Sequence, residues 1–171
     1  MKTISLLASL LALAFLAACA SDPNKGKYGT EKNIPKFGDS RSYVESPEDV
    51  MLAARAVLDE LSRESDPPAS GSIRSDEDSV QTGWVYSTSK DKFVEFKFNN
   101  TPRRKPLRIR RKYVFTVTPS LSGSQVQMNI EEEVLKIDLK TGEEKGWSGA
   151  EADRQAFDML TRRLGERIRR Q

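Results

Sequence analysis

Apolar residues alternate with polar ones between residues 93 and 134, and this period of two constrains the fold more than any other feature. The first run places Val94, Phe96 and Phe98 at alternate positions. Later runs continue the pattern with Leu107, Ile109, Tyr113, Phe115 and Val117, and then with Val126, Met128, Ile130 and Val134. Alternation gives a strand one buried and one exposed face. The sequence therefore predicts an antiparallel sheet, with a hairpin connection at 118–123 and a turn at 140–142.

The pairing of the two central strands can be predicted if their apolar side chains share a face. This alignment gives four pairs: Phe115 with Val126, Tyr113 with Met128, Arg110 with Glu131, and Arg108 with Glu133. It also leaves Arg111 diagonal to Glu132. Leu135, Ile137 and Leu139 reverse the phase of Val134, and this reversal predicts a bulge or bend near 132–135.

Two helices are expected to flank the strands. Ser46 can cap the first helix, which runs to about Arg63 with an apolar face formed by Val50, Ala54, Val57, Leu58 and Leu61. A capping box from Ser148 to Glu151 begins the second, whose stripe is Ala152, Ala156, Phe157, Leu160, Leu164 and Ile168. The predicted fold class is α+β, with two amphipathic helices packed on one face of a 3–5-stranded antiparallel sheet.

The single cysteine, Cys19, follows a short apolar run. Lys2 supplies a positive start, residues 4–18 are almost wholly apolar, and small residues precede the cysteine. These features indicate an export signal over residues 1–18, and Leu16-Ala17-Ala18-Cys19 resembles the lipobox of bacterial lipoproteins. The alternatives are an ordinary signal peptide followed by a free cysteine, and an uncleaved anchor. With lipidation at Cys19, we expect acyl chains to attach the protein to a membrane.

Residues 20–42 have the composition of a linker, rich in Gly, Pro, Asn, Ser and Lys. We expect residues 19–42 to be the lipidated N-terminus and a flexible tether, and residues 43–171 to be a single periplasmic domain. Only Tyr28, Ile34 and Phe37 could pack, so the alternative function of this segment is to bind a partner groove.

Composition excludes several classes of chemistry. The chain has no histidine and one cysteine, which removes the usual zinc sites, nucleophile pairs and disulfides. The acidic run 76–78 lacks calcium-ligand spacing and is expected to be solvated. No cofactor or metal is expected, and no enzyme activity. Without Lys2, 27 basic residues face 25 acidic ones, a balance that does not favour a nucleic-acid partner.

The stretch 103-RRKPLRIRRK-112 carries seven positive charges in ten residues. One hypothesis is an anion site for lipid A phosphates, phospholipid headgroups or nucleic acid; the other is cross-strand pairing with the acidic run 131–133. The predicted alignment favours pairing for the later residues of the stretch. Arg103, Arg104 and Lys105 lie beyond that pairing, and they are the candidates for contact with an anionic surface or an acidic partner.

Several segments together resemble a known family. The lipobox, SPEDVMLAARAVLDEL, TGWVYS, LRIRRKYVFTVTP with VQMNIEEEV, Trp147 and the closing helix are similar to lipoproteins like component C of the β-barrel assembly machinery. The resemblance covers residues 43–170 and implies a helix-grip domain, in which a long helix lies across an antiparallel sheet. The size, lipobox and helices also resemble the lipoprotein subunit of the lipopolysaccharide translocon.

The expected function is that of a non-enzymatic outer-membrane lipoprotein, an accessory or scaffolding component in envelope assembly. The absence of aspartate after Cys19 implies the outer membrane by resemblance to the sorting rule of Gram-negative bacteria, with the domain on the periplasmic face. Its expected partners are the membrane, through Cys19, and envelope proteins. The alternative is a binder that shelters a lipid, lipopolysaccharide or glycan between helix and sheet.

Overall fold

The computed structural model describes residues 38–67 and 73–171. Seven strands and two helices follow one another in these ranges: Gly38–Tyr43 (β1), Pro47–Arg63 (α1), Arg74–Ser75 (β2), Ser79–Gln81 (β3), Val85–Phe98 (β4), Thr101–Ser120 (β5), Gly123–Ile137 (β6), Glu144–Ala150 (β7) and Arg154–Ile168 (α2).

All seven strands belong to one antiparallel sheet, whose centre is the long β5–β6 hairpin. The outer edge of β5 pairs with β4 over its first half and with β3 over its second. The outer edge of β6 pairs with β1 near its start and with β7 near its end. β2 completes the sheet beside β3.

The predicted fold class is wrong, because a seven-stranded sheet dominates the described residues. The prediction of three to five strands missed β1, which had been assigned to the tether, and β7, which had been assigned to the start of the second helix. Residues 38–42 therefore belong to the sheet. Both strands lie along the outer edge of β6, where backbone hydrogen bonds hold a strand that has little apolar alternation of its own.

The register of the central hairpin differs from the predicted one by two residues. Phe115 lies opposite Met128 and Tyr113 opposite Ile130, instead of Val126 and Met128. A shift of two keeps every side chain on its face, so alternation could not distinguish the two registers. The turn decides between them, because Ser120 pairs with Gly123 and leaves only two residues in the connection.

The structure has no bulge at 132–135 in the ladder between β5 and β6; β6 instead has a register shift just after this segment, between Lys136 and Ile137, in its ladder with β7. β5 and β6 pair without interruption as far as Val134, which lies opposite Ile109. Val134 and its neighbour Leu135 are both buried, although they point to opposite faces of the strand. The reversed phase therefore marks a place where both faces of the sheet are covered.

The first helix agrees with its prediction, and the second begins later than predicted. Ser46 caps α1 by accepting a hydrogen bond from the Asp49 backbone N–H, at 3.2 Å. Ser148 is paired with Val134 in the ladder between β6 and β7, so it cannot cap a helix. Asp153 caps α2 instead and accepts from the Gln155 backbone N–H, at 3.0 Å.

The core lies between the helices and the central strands. Fully buried side chains from both helices and from β3, β5 and β6 meet there, the largest of them being Phe115, Leu58, Met128, Leu160 and Leu164. Two interhelical ion pairs at the surface, Arg163 with Glu64 and Arg167 with Glu60, join α2 to the end of α1. This core holds the parts of β5 and β6 that pack against the helices. The end of the β4–β5 hairpin that carries its turn lies outside the core.

Candidate functional site

Residues 93–106, which we call the outer hairpin, form the exposed end of β4 and β5. Pairing resumes after a register shift at the Phe93–Pro106 pair and continues to Phe98 and Thr101. Asn99 and Asn100 make the turn with φ values of 47° and 60°, which suit a two-residue hairpin turn. Five residue steps along the strand give the outer hairpin a length of about 17 Å.

The structure places the three basic candidates of the sequence together on the outer hairpin, and all three are exposed. The Arg104 guanidinium carbon lies 4.7 Å from the centre of the Phe93 ring. The Lys105 ammonium lies 5.5 Å from the centre of the Phe96 ring and donates a hydrogen bond of 2.9 Å to the Gly142 carbonyl. Arg103 lies opposite Phe96 on the paired strand.

In the described part of the chain, no carboxylate neutralises the positive charge of the outer hairpin. Lys97, Arg103, Arg104 and Lys105 face a single acid, Glu95, within these residues, so the net charge is +3. Among the described residues, none of the four cations lies within ion-pair distance of a carboxylate. The contacts of Arg104 and Lys105 with aromatic rings position these side chains and leave their charge in place.

The loop between β6 and β7 holds the outer hairpin. The Lys97 backbone N–H donates to the Leu139 carbonyl, at 2.9 Å. Gly142 has a φ of +73°, and a Cβ there would lie 2.3 Å from the Phe96 ring. Asp138 orders the loop by accepting from the backbone N–H groups of Lys140 and Thr141, and these hydrogen bonds lower the pKa of Asp138. The hairpin is thus presented in a fixed orientation.

Further along β5, the basic run is paired with acids: Arg111 contacts Glu132, its predicted diagonal neighbour, whereas Arg110 and Arg108 have partners other than those predicted. Arg110 contacts Glu133 and Arg111 contacts Glu132, each at 2.6 Å. Arg108 contacts Glu144 on β7, at 3.1 Å. Charge therefore separates into a neutralised stretch at 108–111 and an unneutralised one at 103–105.

The pair of Arg111 and Glu132 lies on the same side of the strands as the buried apolar residues. The Glu132 side chain is 8% exposed. Burial acts to lower the pKa of Arg111, but the Glu132 carboxylate outweighs this effect and raises it. Burial also raises the pKa of the neighbouring Tyr113 hydroxyl. This arrangement keeps both charges of the pair in place and stabilises the register of the two strands.

A second feature, which sequence reasoning missed, is an arginine between two tryptophans. The Arg110 guanidinium carbon lies 4.5 Å from the Trp84 ring centre and 4.7 Å from that of Trp147. Tyr86 packs edge-on against Trp147, with ring centres 5.7 Å apart. Trp84 and Tyr86 are half-buried, and Phe93 is 41% exposed. The sequence has one tryptophan before the basic stretch 103–112 and one after it. Trp147 reaches Arg110 only because β7 pairs with β6, and β7 was not predicted.

Replacing Arg110 with alanine is expected to reduce the free energy of unfolding by about 1–3 kcal/mol, because two cation–π contacts are lost. Loss of the Glu133 pair adds little, since both side chains retain contact with water. Urea denaturation followed by tryptophan fluorescence measures the change. The matched control, Arg103→Ala on the same strand, should stay within about 0.5 kcal/mol. Equal losses for the two variants would show that the tryptophan contacts contribute nothing.

Clefts in the described part of the chain lie at its surface. One of about 120 Å³ is lined by residues at the start of β1 and α2, among them Gly38 and Arg154. Others of about 360 and 370 Å³ lie on either side of the exposed Leu52 on α1. Within the described ranges, no three carboxylate, histidine or cysteine side chains group closely enough to hold a metal ion.

The remaining candidates of the sequence, Cys19, Tyr28, Ile34 and Phe37, lie outside the described residues. Neither helix in the described part combines the length and apolar character needed to cross a bilayer. The chain matches no protein-family model and no curated protein sequence.

Proposed function

We propose that this protein is a non-enzymatic lipoprotein of the outer membrane, attached through acyl chains on Cys19, that serves as an accessory or scaffolding component in envelope assembly. The observation that carries the proposal is the only cysteine of the chain, placed directly after the apolar segment 4–18. Several acyl chains on one sulfur attach a protein firmly, because each buried methylene contributes about 0.8 kcal/mol.

Contacts with other molecules, and not catalysis, are the proposed mode of action. The outer hairpin supports this because it presents aromatic and basic side chains outside the core. A membrane anchor confines these contacts to a thin layer and raises their effective concentration there. We assign protein contacts to Tyr28, Ile34 and Phe37, and a second contact surface to Arg103, Arg104 and Lys105.

A second candidate function is recognition of anionic lipid or lipopolysaccharide. Among the described residues, Arg103, Arg104 and Lys105 have no carboxylate within ion-pair distance, and this favours it. Recognition would then occur at the surface of the outer hairpin. A ligand sheltered between helices and sheet is disfavoured, because Phe115, Leu58, Met128, Leu160 and Leu164 fill that space with less than 2% of each side chain exposed.

Fractionation of cells that express the full chain tests the attachment. The wild-type chain is expected to incorporate labelled palmitate and to sediment with outer membranes. Cys19→Ser should lose the label and leave the membrane fraction, because it removes the sulfur that carries the acyl chains. Ser21→Ala is the matched control and should behave like wild type. Undiminished labelling of Cys19→Ser would contradict the anchor.

Photo-cross-linking in intact cells tests the scaffolding role. A photoreactive residue at position 34 or 37 is expected to capture envelope proteins identifiable by mass spectrometry. The control is the same residue at position 121, which is fully exposed in the turn between β5 and β6. Recovery of no envelope protein from 34 and 37, or the same proteins from 121, would reject the proposed contacts of the tether.

A further inference from the structure

We propose that the outer hairpin, together with Leu139 beside it, rests on the anionic phospholipid surface to which the protein is attached. It would form a second membrane contact and set the orientation of the domain. This inference rests on the proposed attachment through Cys19. The ligand chemistry is that of lipid phosphate groups at a membrane interface.

Charge complementarity is the first argument. The outer hairpin has a net charge of +3, and among the described residues no carboxylate lies within ion-pair distance of its cations. Basic residues close to an anionic membrane each increase binding about fivefold. Because these interactions decay within about 8 Å at physiological salt, they require the hairpin to touch the surface.

Exposed apolar side chains beside the cations are the second argument. Phe98, beside the hairpin turn, is 51% exposed, and Leu139 is 54% exposed. Aromatic and aliphatic side chains next to Lys and Arg are typical of surfaces that sit at the headgroup boundary. The opposite end of the sheet also exposes apolar residues, Val44 and Leu121, but residues 118–124 there carry no charge. The combination of both features therefore distinguishes the outer hairpin.

The direction of β1 is the third argument. β1 is antiparallel to β6, and β6 is antiparallel to β5, so β1 and β5 run in the same direction. β5 starts at the hairpin turn. Gly38, the first residue of β1, therefore lies at the end of that strand nearer to the outer hairpin. The chain from Cys19 enters the sheet from the side to which the hairpin points.

The lengths agree with this arrangement. Eighteen residues separate Cys19 from Gly38, and a flexible chain of that length spans about 23 Å r.m.s.. The ion pair between Lys92 and Asp153, at 3.7 Å, brings the base of the outer hairpin to the start of α2, and Gly38 lines a cleft with Glu151 and Arg154 there. Through Asn129, Gly38 lies level with Val114 of β5, thirteen residue steps or about 43 Å along that strand from Thr101. Eighteen residues reach about 60 Å when extended, so one surface can meet both the anchor and the hairpin turn.

An environment-sensitive fluorophore on the full-length lipidated protein in vesicles tests the contact. Lipidation blocks Cys19, so Phe98→Cys or Leu121→Cys provides the only free thiol for labelling. On vesicles containing phosphatidylglycerol, the label at 98 should shift to the blue and be quenched by acyl-chain quenchers. The label at 121 should keep an aqueous spectrum. On pure phosphatidylcholine vesicles the shift at 98 should be much smaller.

Charge reversal supplies the matched variants. Lys97→Glu with Arg103→Glu should reduce the membrane-bound fraction of the label at 98 at least about tenfold. Arg169→Glu with Arg170→Glu makes the same change of net charge at the end of the chain and should leave that fraction unchanged. Equal effects of the two double variants would overturn the proposal, because they would show attraction by net charge alone.

An aqueous spectrum at 98 on anionic vesicles that carry the anchored protein would also overturn it, and would direct attention to an acidic protein partner. Failure of the anchor gives a different result, since no protein would then be retained by pure phosphatidylcholine vesicles. In that case, flotation of the full Cys19→Ser chain with anionic vesicles tests whether the outer hairpin binds the membrane without the anchor. Binding that is lost with Lys97→Glu and Arg103→Glu but kept with the control pair supports the contact, and equal binding of both rejects it.

Discussion

Replacing Phe115 with alanine is expected to reduce the free energy of unfolding by about 3–5 kcal/mol. The Phe115 side chain lies at the centre of the sheet, opposite Met128 and Val80 on its two neighbouring strands, and it is completely buried. Its loss leaves a cavity between the helices and the sheet that the packed neighbours cannot fill. Total stability for a domain of this kind is about 5–15 kcal/mol, so urea denaturation should show a large decrease in the midpoint.

Phe98→Ala provides the matched control, because Phe98 is 51% exposed at the end of β4. It should change the free energy of unfolding by no more than about 0.5 kcal/mol, while removing one apolar side chain from the proposed membrane contact. A cost for Phe115→Ala below about 1 kcal/mol would contradict the buried position of this ring.

Gly123→Ala is expected to reduce the free energy of unfolding by about 2–3 kcal/mol, although it adds a single methyl group. Gly123 has a φ of +141°, where an L-residue is strained, and a Cβ there would lie 2.2 Å from the Tyr43 carbonyl oxygen. The obstacle is backbone, so relief requires the end of β1 to move away from β6. Thermal unfolding measures the loss, and hydrogen exchange of β1 amides should show where it falls.

The same substitution at Gly165, within α2, is the matched control. A Cβ at Gly165 meets no atom within 4 Å, and alanine favours a helix over glycine by about 1 kcal/mol. Gly165→Ala should therefore stabilise the protein slightly. A Gly123→Ala variant as stable as Gly165→Ala would show that the tight turn does not require glycine.

Much of the central architecture could be predicted because local sequence determines it. Ser46, Pro47 and the acids after them define the start of α1 without reference to any other element. The stripe from Ala156 to Ile168 likewise identifies the buried face of α2. Alternation identified the strands around Phe115 and Met128, but it could not fix their register, because a shift of two residues leaves every side chain on the same face.

The edge strands could not be predicted for a different reason. β1 (GDSRSY) has a single large apolar residue, Tyr43, and the composition of a linker. β7 (EKGWSGA) has only Trp147 among small and charged residues. Their backbones pair with β6, so the partner strand, and not their own side chains, makes them strands.

The candidate site was predicted in part. Arg103, Arg104 and Lys105 were selected because they lie beyond the acidic run of the partner strand, and this reason survives the change in register. The contact of Arg110 with Trp147 and the loop that holds the outer hairpin escaped prediction, because both depend on the return of the chain after Ile137. Gly142 and Leu139 reach the hairpin only through that return.

The attachment of β1 to β6 has a mechanical consequence. If the protein is attached through Cys19, as proposed, a pull from the membrane reaches the described part of the chain at Gly38, and we consider a pull directed along the axis of β1. The six residue pairs between β1 and β6 then carry the load together in shear, instead of opening one after another from the end. A protein held by its first residues to a moving membrane would keep its folded shape under tension that a peeled strand could not bear.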